Sequence, residues 1–252
     1  MIDPAGETYD ELLRGRLRLV QPRRGPRVSL DSLLLAHFAA ARRGERLGRV
    51  LDLGCGGGVV FLALARHDPC AQLVGVELQP ELVALARRNA ALNGCEERAL
   101  VLAADLRCRL PLDPASFDLV VANPPFTEAG AGRTPRPDRA AARQELTCTI
   151  ADVVAAARRH LRPRGALALV FPAERLPDLL TTLVAARLRP RALRPVHSLP
   201  DEPARRVLVW AAAGYRGGVT VEPPLVVHQA DRRAWSAEVA HILGESPPES
   251  LA

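Results

Sequence analysis

Residues 49–67 read RVLDLGCGGGVVFLALARH, and this stretch decides the fold. The apolar run at 49–53 predicts a buried strand, because short apolar segments that end in turn residues are typical of parallel sheets. Glycines then mark a turn, and the apolar spacing of 59–67 predicts a helix. A strand, a glycine-rich turn and a helix in succession form the first half of a βαβ unit, which predicts an α/β protein.

The rest of the chain continues this alternation. Further strands are predicted at 71–77, 98–105, 117–123, 165–172, 192–198 and 205–213, and helices at 29–43, 80–94, 149–165 and 176–190. The pattern predicts a Rossmann-like fold with a seven-stranded, mostly parallel sheet and helices on both faces. We expect a core at 49–213, an N-terminal strand and helix extension at 1–48 that packs on it, and a C-terminal strand and helix extension with a tail at 214–252.

The composition limits the class of protein. The formal charge is +6 and all 34 basic residues are arginine, which suits a polyanionic partner without requiring one. The five cysteines form no C-x-x-C pair, which argues against a disulfide framework or a metal site. The first residues are acidic where a signal peptide is basic, and no apolar stretch is as long as a membrane span. We therefore expect a cytoplasmic protein, with a monomer favoured.

The glycine-rich turn predicts a cofactor site. Asp52, Gly54, Gly56 and Gly58 form the pattern D-x-G-x-G-x-G at the junction of strand and helix. Glycine allows the positive φ of such a turn and the close approach of backbone to a ligand. The spacing differs from the G-x-G-x-x-G of dinucleotide enzymes, and an acid precedes the first glycine. The combination favours S-adenosyl-L-methionine, whose methionine part carries an ammonium group and no phosphate.

Two more acids end predicted strands. Glu77 ends the second core strand, where a carboxylate can accept hydrogen bonds from both ribose hydroxyls of a nucleoside. Asp105 ends the third, where it can accept from the adenine amino group. Open α/β sheets bind ligands at the carboxyl ends of their strands, so we expect these acids, with Cys55 and Leu106 beside them, to line the cofactor site.

The fourth core strand ends in Asn123-Pro124-Pro125-Phe126, which predicts the reaction centre. The amide oxygen of Asn123 and the carbonyl of Pro124 can accept both N–H bonds of an exocyclic amine. These acceptors hold the amine more strongly as positive charge grows on its nitrogen, and they aim its lone pair at a methyl donor. Consecutive prolines stiffen the loop, and Phe126 can stack on a planar base.

Together these motifs resemble the amino methyltransferases that use S-adenosyl-L-methionine and carry the N-P-P-F/Y tetrapeptide. The N-terminal DELLRGRLRLVQPRRGPRVSLDSLLLAHF, the loop FTEAGAGRTPRPDRAAARQEL and the late PLVVHQADRRAWSAEVAHIL are similar to the bacterial tRNA adenine N6-methyltransferases that modify position 37 of valine tRNA. The resemblance covers nearly the whole chain. It implies that Ser29 and Asp31 face the methionine part of the cofactor. The residue types alone equally allow a helix N-cap at Ser29 with an acid in the first turn.

The resemblance and the uneven placement of arginine together predict contacts with RNA, most of all tRNA. The expected RNA-binding residues lie in the N-terminal segment and in the loop after the tetrapeptide: Arg16, Arg18, Arg23, Arg24, Arg133, Arg136, Arg139 and Arg143. The acids Glu128, Asp138 and Glu145 leave that loop with a charge of only +1, so its place beside the reaction centre supports this interpretation better than its charge.

Three alternatives stay open at this point. Phe126 stands where the adenine enzymes more usually carry tyrosine, and Phe is common among the guanine N2-methyltransferases of rRNA. Pro26 also replaces an aromatic residue that the resemblance leads us to expect. A protein glutamine or a small amine could be the substrate instead. A silent module that binds the cofactor or RNA is the alternative that is not an enzyme.

Overall fold

The computed structural model describes residues 6–25, 27–124, 148–231 and 234–245. The strands are β1 (Glu7–Leu12), β2 (Leu17–Pro22), β3 (Arg49–Leu53), β4 (Gln72–Glu77), β5 (Ala99–Ala103), β6 (Phe117–Ala122), β7 (Leu161–Pro172), β8 (Leu188–His197), β9 (Ala204–Ala213), β10 (Thr220–Val221) and β11 (Leu225–Val226). The helices are α1 (Leu30–Arg43), α2 (Val59–His67), α3 (Pro80–Leu92), α4 (Ile150–His160), α5 (Leu176–Ala185) and α6 (Ala237–Leu243).

The main sheet has the order β10-β8-β9-β7-β6-β3-β4-β5, and β11 also pairs with β8. Strand β9 runs antiparallel to both of its neighbours, and the other pairs are parallel. This confirms the predicted α/β fold with a mostly parallel sheet. The seven longer strands are the predicted ones, and the two-residue strands β10 and β11 add to them at the β8 edge.

The strand order changes direction between β3 and β6. The chain builds β3, β4 and β5 toward one edge and then returns to place β6 on the other side of β3. In register, Leu53 lies opposite Val76 on one side and Ala122 on the other, and Glu77 lies opposite Ala103. The carboxyl ends of these four strands therefore meet at one edge, with a topological switch point between β3 and β6, where open α/β sheets bind ligands.

Alternating residues of the central strands bury opposite faces of the sheet. Val50 and Leu73 belong to the apolar cluster that includes α1 and α2, whereas Leu51 and Val74 belong to the cluster that includes α4 and α5. This period of two is required of a pleated strand that is covered on both sides. Each fully buried Leu or Val side chain contributes about 1.5–3 kcal/mol of hydrophobic stabilisation, so these two layers dominate the stability of the core.

A hairpin of β1 and β2 packs outside the main sheet. The free edge of β2 is completed by side chains of α3: Asn89 accepts the Val20 N–H at 2.8 Å and donates to the Val20 carbonyl at 3.1 Å. Asn93, one turn later, makes the same pair of bonds to the backbone of Arg18 at 3.0 and 2.6 Å. Two carboxamides thus stand in for a neighbouring strand and join the hairpin to the core.

Two predicted helices were too long. The helix predicted at 149–165 ends at His160, and β7 begins at once with Leu161, whose backbone is extended. Pro163 explains this boundary, since it disfavours helical geometry at the residue before it and cannot donate to a helical bond. The helix predicted at 176–190 ends at Ala185, and Arg187, with φ of 58°, turns the chain into β8.

None of the helices within the described ranges has both the length and the apolar character that a membrane span requires.

Candidate active site

The glycine-rich turn sits at the switch point and needs its glycines. Gly54, Gly56 and Gly58 have φ of 74°, 54° and 91°, which is the left-handed region that favours glycine. A Cβ atom on Gly54 or Gly56 would meet no heavy atom within 4 Å, whereas one on Gly58 would lie 2.8 Å from the Phe61 ring. The third glycine therefore allows close packing inside the protein, and the first two leave open space on the outer side of the turn.

Cys55 contributes its backbone to this turn, and its side chain is buried. Its N–H donates to the Val76 carbonyl at 3.0 Å, next to the Gly54 N–H, which donates to the same oxygen at 2.8 Å. The thiol is buried against Gly75, and burial raises the pKa of Cys55 well above its ordinary value. The expected cofactor contact of this residue is therefore limited to its backbone.

Asp52 lies below the turn and is 1% exposed. One carboxylate oxygen accepts the Phe61 N–H at 3.3 Å, and the other has no hydrogen-bond partner among the described residues. Burial raises the pKa of Asp52, the Phe61 bond lowers it and repulsion from Glu77 raises it, and together these effects bring it to about 7. A buried acceptor without a partner favours a cationic ligand. The free oxygen of Asp52 therefore suits the ammonium group of S-adenosyl-L-methionine.

Glu77 is oriented by the backbone around it. One carboxylate oxygen accepts the Gly56 N–H at 3.0 Å, and the other accepts the N–H groups of Leu78 and Gln79 at 2.8 and 2.9 Å. A carboxylate has about four acceptor positions, so capacity remains for a ribose hydroxyl. Sequence reasoning missed Leu78, which is 38% exposed beside this carboxylate and offers an apolar surface at the same edge.

Asp105 carries an ion pair that the sequence pattern did not reveal. The guanidinium of Arg107 contacts both carboxylate oxygens at 2.7–3.0 Å, and its backbone N–H donates to one of them at 2.9 Å. These bonds to Arg107 lower the pKa of Asp105. Leu106, between them, packs against the apolar cluster below. A donor from a ligand would therefore share Asp105 with Arg107.

Asn123 follows β6 directly, so it stands beside Gly54 of the glycine turn. Its amide nitrogen donates to the Ser32 hydroxyl at 2.9 Å and to the Ser29 hydroxyl at 3.4 Å. Its amide oxygen accepts no hydrogen bond from the described residues. Pro124 is buried, and Pro125 and Phe126 lie outside the described residues. Ser32 was not singled out from the sequence; its only signal was a second serine in the first turn of α1.

Helix α1 brings Ser29 and Asp31 to this edge. Ser29 is the N-cap residue, and its side chain makes no capping bond. Asp31 pairs with Arg206 at the start of β9, at 3.1 Å. The contact of both residues with a cofactor stays a prediction, and each already has a partner within the protein.

The arginines expected to bind RNA fall into separate places. Arg23 and Arg24 are exposed on the segment that leads from β2 to α1 and the Asn123 edge. Arg18 is exposed, and its backbone N–H donates to Asn93, which follows the last residue of α3, whereas the exposed Arg16 lies beside Gly244. Because α3 starts beside Glu77 and rises about 1.5 Å per residue, its other end lies roughly 20 Å away from the cofactor edge. Arg133, Arg136, Arg139 and Arg143 lie outside the described residues.

Among the residues that the structure describes, no group of three or more His, Cys, Asp and Glu side chains could hold a metal ion.

Comparisons with known proteins identify the family of this chain. The family model for the methyltransferase small domain matches residues 30–184. A Porphyromonas gingivalis (strain ATCC BAA-308 / W83) protein named tRNA1(Val) (adenine(37)-N6)-methyltransferase is 33% identical over 192 residues, which are 74% of this chain and 75% of that protein. A release factor glutamine methyltransferase of Geobacter sulfurreducens is 44% identical over 87 residues, which are 34% of this chain and 29% of that protein.

A solved structure supports the fold. A crystal structure of a predicted O-methyltransferase from Agrobacterium tumefaciens has a TM-score of 0.69 and 24% identity, and the match covers 88% of this chain and all of that one. At this identity the likeness concerns the fold alone. The family model and the long match to the Porphyromonas protein carry the assignment. The chain belongs to the methyltransferase small domain family of S-adenosylmethionine-dependent enzymes, and within it to the family of the bacterial tRNA1(Val) (adenine(37)-N6)-methyltransferases.

Proposed function

We propose that this protein transfers a methyl group from S-adenosylmethionine to the exocyclic N6 of adenine in tRNA, at position 37 of valine tRNA. The observation that carries this proposal is the state of the Asn123 carboxamide. Its nitrogen is held by two serine hydroxyls, and its oxygen is left to accept a hydrogen bond at the switch point beside the glycine turn. The name of the Porphyromonas relative supports the choice of tRNA and of the base.

The chemistry follows from what an adenine amine needs. Its nitrogen lone pair is delocalised into the ring, so the amine is a poor nucleophile until its N–H bonds are held by acceptors. The Asn123 oxygen and the Pro124 carbonyl stand next to each other in the chain and can serve as these acceptors. Their hydrogen bonds strengthen as positive charge develops on nitrogen, which stabilises the transition state more than the ground state.

The cofactor residues act by binding and orientation. S-adenosylmethionine supplies an electrophilic methyl group on its sulfonium. Glu77 would hold the ribose, Asp105 the adenine amine, and Asp52 would offer its unpaired oxygen to the methionine ammonium. Because the Glu77 carboxylate is fixed by three backbone N–H groups, little ordering remains to be done when the ligand arrives.

The enzyme can reach the target adenine only when this base is unstacked from its neighbours in the RNA. Bases in loops are unstacked at lower cost than bases in a duplex, and aromatic side chains receive them by stacking. We assign this stacking role to Phe126. We assign phosphate contacts to Arg23 and Arg24, because they are exposed on the segment that enters the site, and to the arginines of the loop 127–145.

A protein glutamine is the second candidate, and the match to the release factor enzyme is the observation that favours it. A primary amide also presents a planar NH2 group, so the two Asn123 and Pro124 acceptors would suit it. That match, however, spans only 29% of the release factor enzyme, whereas the adenine enzyme is matched over 75% of its length. We therefore prefer adenine in tRNA.

The experiment that tests this is methylation of unmodified bulk tRNA by the purified protein with methyl-labelled S-adenosylmethionine. Nucleosides are then separated, and the label is mapped by nuclease digestion. We expect labelled N6-methyladenosine at position 37 of valine tRNA. Label in N2-methylguanosine, or label only when rRNA or a release factor is supplied, would overturn the choice of substrate, and no transfer to any of them would overturn the proposal as a whole.

A further inference from the structure

We propose that Ser32, together with Ser29, is a positioning residue that fixes the orientation of the Asn123 carboxamide for methyl transfer. This inference rests on the proposed function, because it concerns the acceptor that would hold the substrate amine. It assigns to the first turn of α1 a role toward the reaction centre rather than toward the cofactor.

The contacts define a small polar cluster. The Asn123 amide nitrogen lies 2.9 Å from the Ser32 oxygen and 3.4 Å from the Ser29 oxygen, and the two serine oxygens are 3.2 Å apart. Ser32 is 8% exposed, so water cannot readily replace it. The two hydroxyls carry two protons, one of which can bridge the two serine oxygens, and both oxygens accept from the hydrogens of the Asn123 NH2 group.

Orientation matters because the two ends of a carboxamide have almost the same shape. The terminal torsion of asparagine is broad and roughly two-fold, so an unrestrained Asn123 would populate both orientations. In the turned orientation its NH2 group would face the N–H bonds of the substrate amine, donor against donor. In the observed orientation the serine pair holds the NH2 group, and the amide oxygen is directed toward the substrate side.

Ser29 occupies the N-cap position of α1, but its side chain does not cap the helix. A serine at the N-cap usually accepts an N–H of the first helical turn, and such a bond stabilises a helix by about 1 kcal/mol. The Ser29 side chain makes no such bond, although its backbone has the extended geometry of an N-cap. Its hydroxyl is directed to Ser32 and Asn123 instead. Helix stability alone does not explain this arrangement, whereas orientation of Asn123 does.

The turn that carries the serines is itself held in place. Asp31, between them, pairs with Arg206 of β9 at 3.1 Å, and the Ser32 N–H donates to the Ser29 carbonyl at 3.1 Å. The next residues of α1, Leu33 and Leu34, are buried in the core. A fixed support is required here, since a misplacement of about 1 Å at a reacting group can cost about 100-fold in rate.

The test compares Ser32→Ala with a matched control, Ser116→Ala. Ser116 precedes β6, and its hydroxyl bonds to the Asp113 carbonyl, so it lies at the other end of the strand, about 20 Å from Asn123. We expect kcat for tRNA methylation to fall about 10- to 100-fold in Ser32→Ala, with the Kd for S-adenosylmethionine within twofold of wild type. Ser116→Ala should match wild type in both. Ser32→Cys, which keeps a weak acceptor, should recover part of the rate.

A double-mutant cycle separates positioning from general damage. If Ser32 acts through Asn123, then Ser32→Ala should cause no further loss of single-turnover rate in an Asn123→Ala background. An additive loss, or a wild-type kcat in Ser32→Ala with active wild-type protein, would overturn the positioning role and leave the proposed function standing. Failure of the wild-type protein to methylate tRNA would instead overturn the proposed function. Thermal unfolding of each variant confirms that the folded protein is being compared.

Discussion

The Glu77 carboxylate accepts a hydrogen bond from the Gly56 N–H at 3.0 Å, which ties the end of β4 to the middle of the glycine-rich turn. The Val76 carbonyl, one residue earlier, accepts from both Gly54 and Cys55. The turn is therefore fixed to the neighbouring strand at three points by the protein alone. Such preorganisation lowers the conformational cost of binding, since the backbone needs no ordering by the ligand.

Truncation of the reaction-centre amide is the most direct test of the site. We expect Asn123→Ala to lower the rate of methyl transfer by about 100-fold or more, because the variant loses one of the two acceptors that stabilise the developing charge. Binding of S-adenosylmethionine, measured by calorimetry, should stay within about twofold. Asn123→Asp keeps an acceptor oxygen and should retain more activity than Asn123→Ala. Equal activity of Asn123→Ala and wild type would remove Asn123 from the mechanism.

The raised pKa of Asp52 makes the stability of the ligand-free protein depend on pH. The folded pKa is about 7, against an ordinary value of 3.8 in an unfolded chain, so the folded state holds a proton that the unfolded state releases. The stabilising contribution of this group is thus fully present below about pH 4 and is lost as pH rises through 7. We expect the free energy of unfolding of wild type, relative to Asp52→Asn, to fall between pH 5 and pH 8 in urea titrations.

The matched variant makes that result decisive, because Asp52→Asn keeps the shape of the side chain and cannot titrate. A constant difference between the two proteins across this range would show that Asp52 does not titrate there. A cationic ligand at the unpaired oxygen favours the ionised form of Asp52, so its binding should become stronger as pH rises. Affinity for S-adenosylmethionine should therefore rise from pH 6 to pH 8 more steeply in wild type than in Asp52→Asn.

Local patterns in the sequence were sufficient for the core of the fold. The boundaries of β3 and α2 were predicted without error at 49–53 and 59–67, because a buried strand, a glycine turn and a helix follow one another and each has its own periodicity. The hairpin strand β1 was not predicted, because its sequence ETYDEL alternates weakly and its partner, β2, determines its structure. The two-residue strands β10 and β11 carry no periodic signal at all.

Some residues of the candidate site could likewise be predicted from the sequence, and others could not. Asp52, Glu77 and Asp105 could be placed from the sequence, because each stands at the end of a recognisable strand and parallel strands share one edge. Ser32 could not, because its contact with Asn123 joins residues 91 positions apart and depends on how α1 packs. The guanidinium of Arg107 is only two residues from Asp105, yet its direction is a matter of side-chain conformation that no sequence pattern specifies.

The ion pair on Asp105 predicts an effect on the cofactor. We expect Arg107→Ala to tighten binding of S-adenosylmethionine by up to about fivefold, because an exposed pair of this kind is weak and competes with the adenine amine for the carboxylate. The Arg107 backbone N–H still orients Asp105 in this variant. Calorimetry measures the change, with Asp105→Ala as the variant that should weaken binding. Weaker binding by Arg107→Ala would mean that the guanidinium supports the site instead.

The carboxamide of Asn89 joins the hairpin to the cofactor turn. It bonds both backbone groups of Val20 and also donates to the Gly57 carbonyl at 2.9 Å, and its side chain is 1% exposed. We expect Asn89→Ala to lower the free energy of unfolding by about 2–4 kcal/mol, because several buried groups are left without partners at once. Asn93→Ala is the control, since water can replace its exposed bonds and the loss should be about 1 kcal/mol. Equal losses in urea unfolding would contradict the role of Asn89.

Recognition of tRNA should depend on the basic segment that enters the site. We expect the double charge reversal of Arg23→Glu and Arg24→Glu to weaken tRNA binding at least tenfold, because a phosphate without its arginine partner keeps its counterions and contributes nothing to their release. The slope of log K against log salt should fall by about 1 to 2. The matched control reverses Arg158 and Arg159, which are exposed in the last turn of α4. That turn precedes β7 and so lies at the amino edge of the sheet, opposite the site.

The control carries the same change in net charge, so it separates a local interaction from general attraction between a basic protein and a polyanion. Filter binding over a range of salt concentrations measures both pairs. If both reversals weaken tRNA binding equally, the attraction is spread over the surface and Arg23 and Arg24 have no special role. If only the Arg23 and Arg24 pair matters while the Kd for S-adenosylmethionine is unchanged, the tRNA enters along the segment between β2 and α1, next to the serines that hold Asn123.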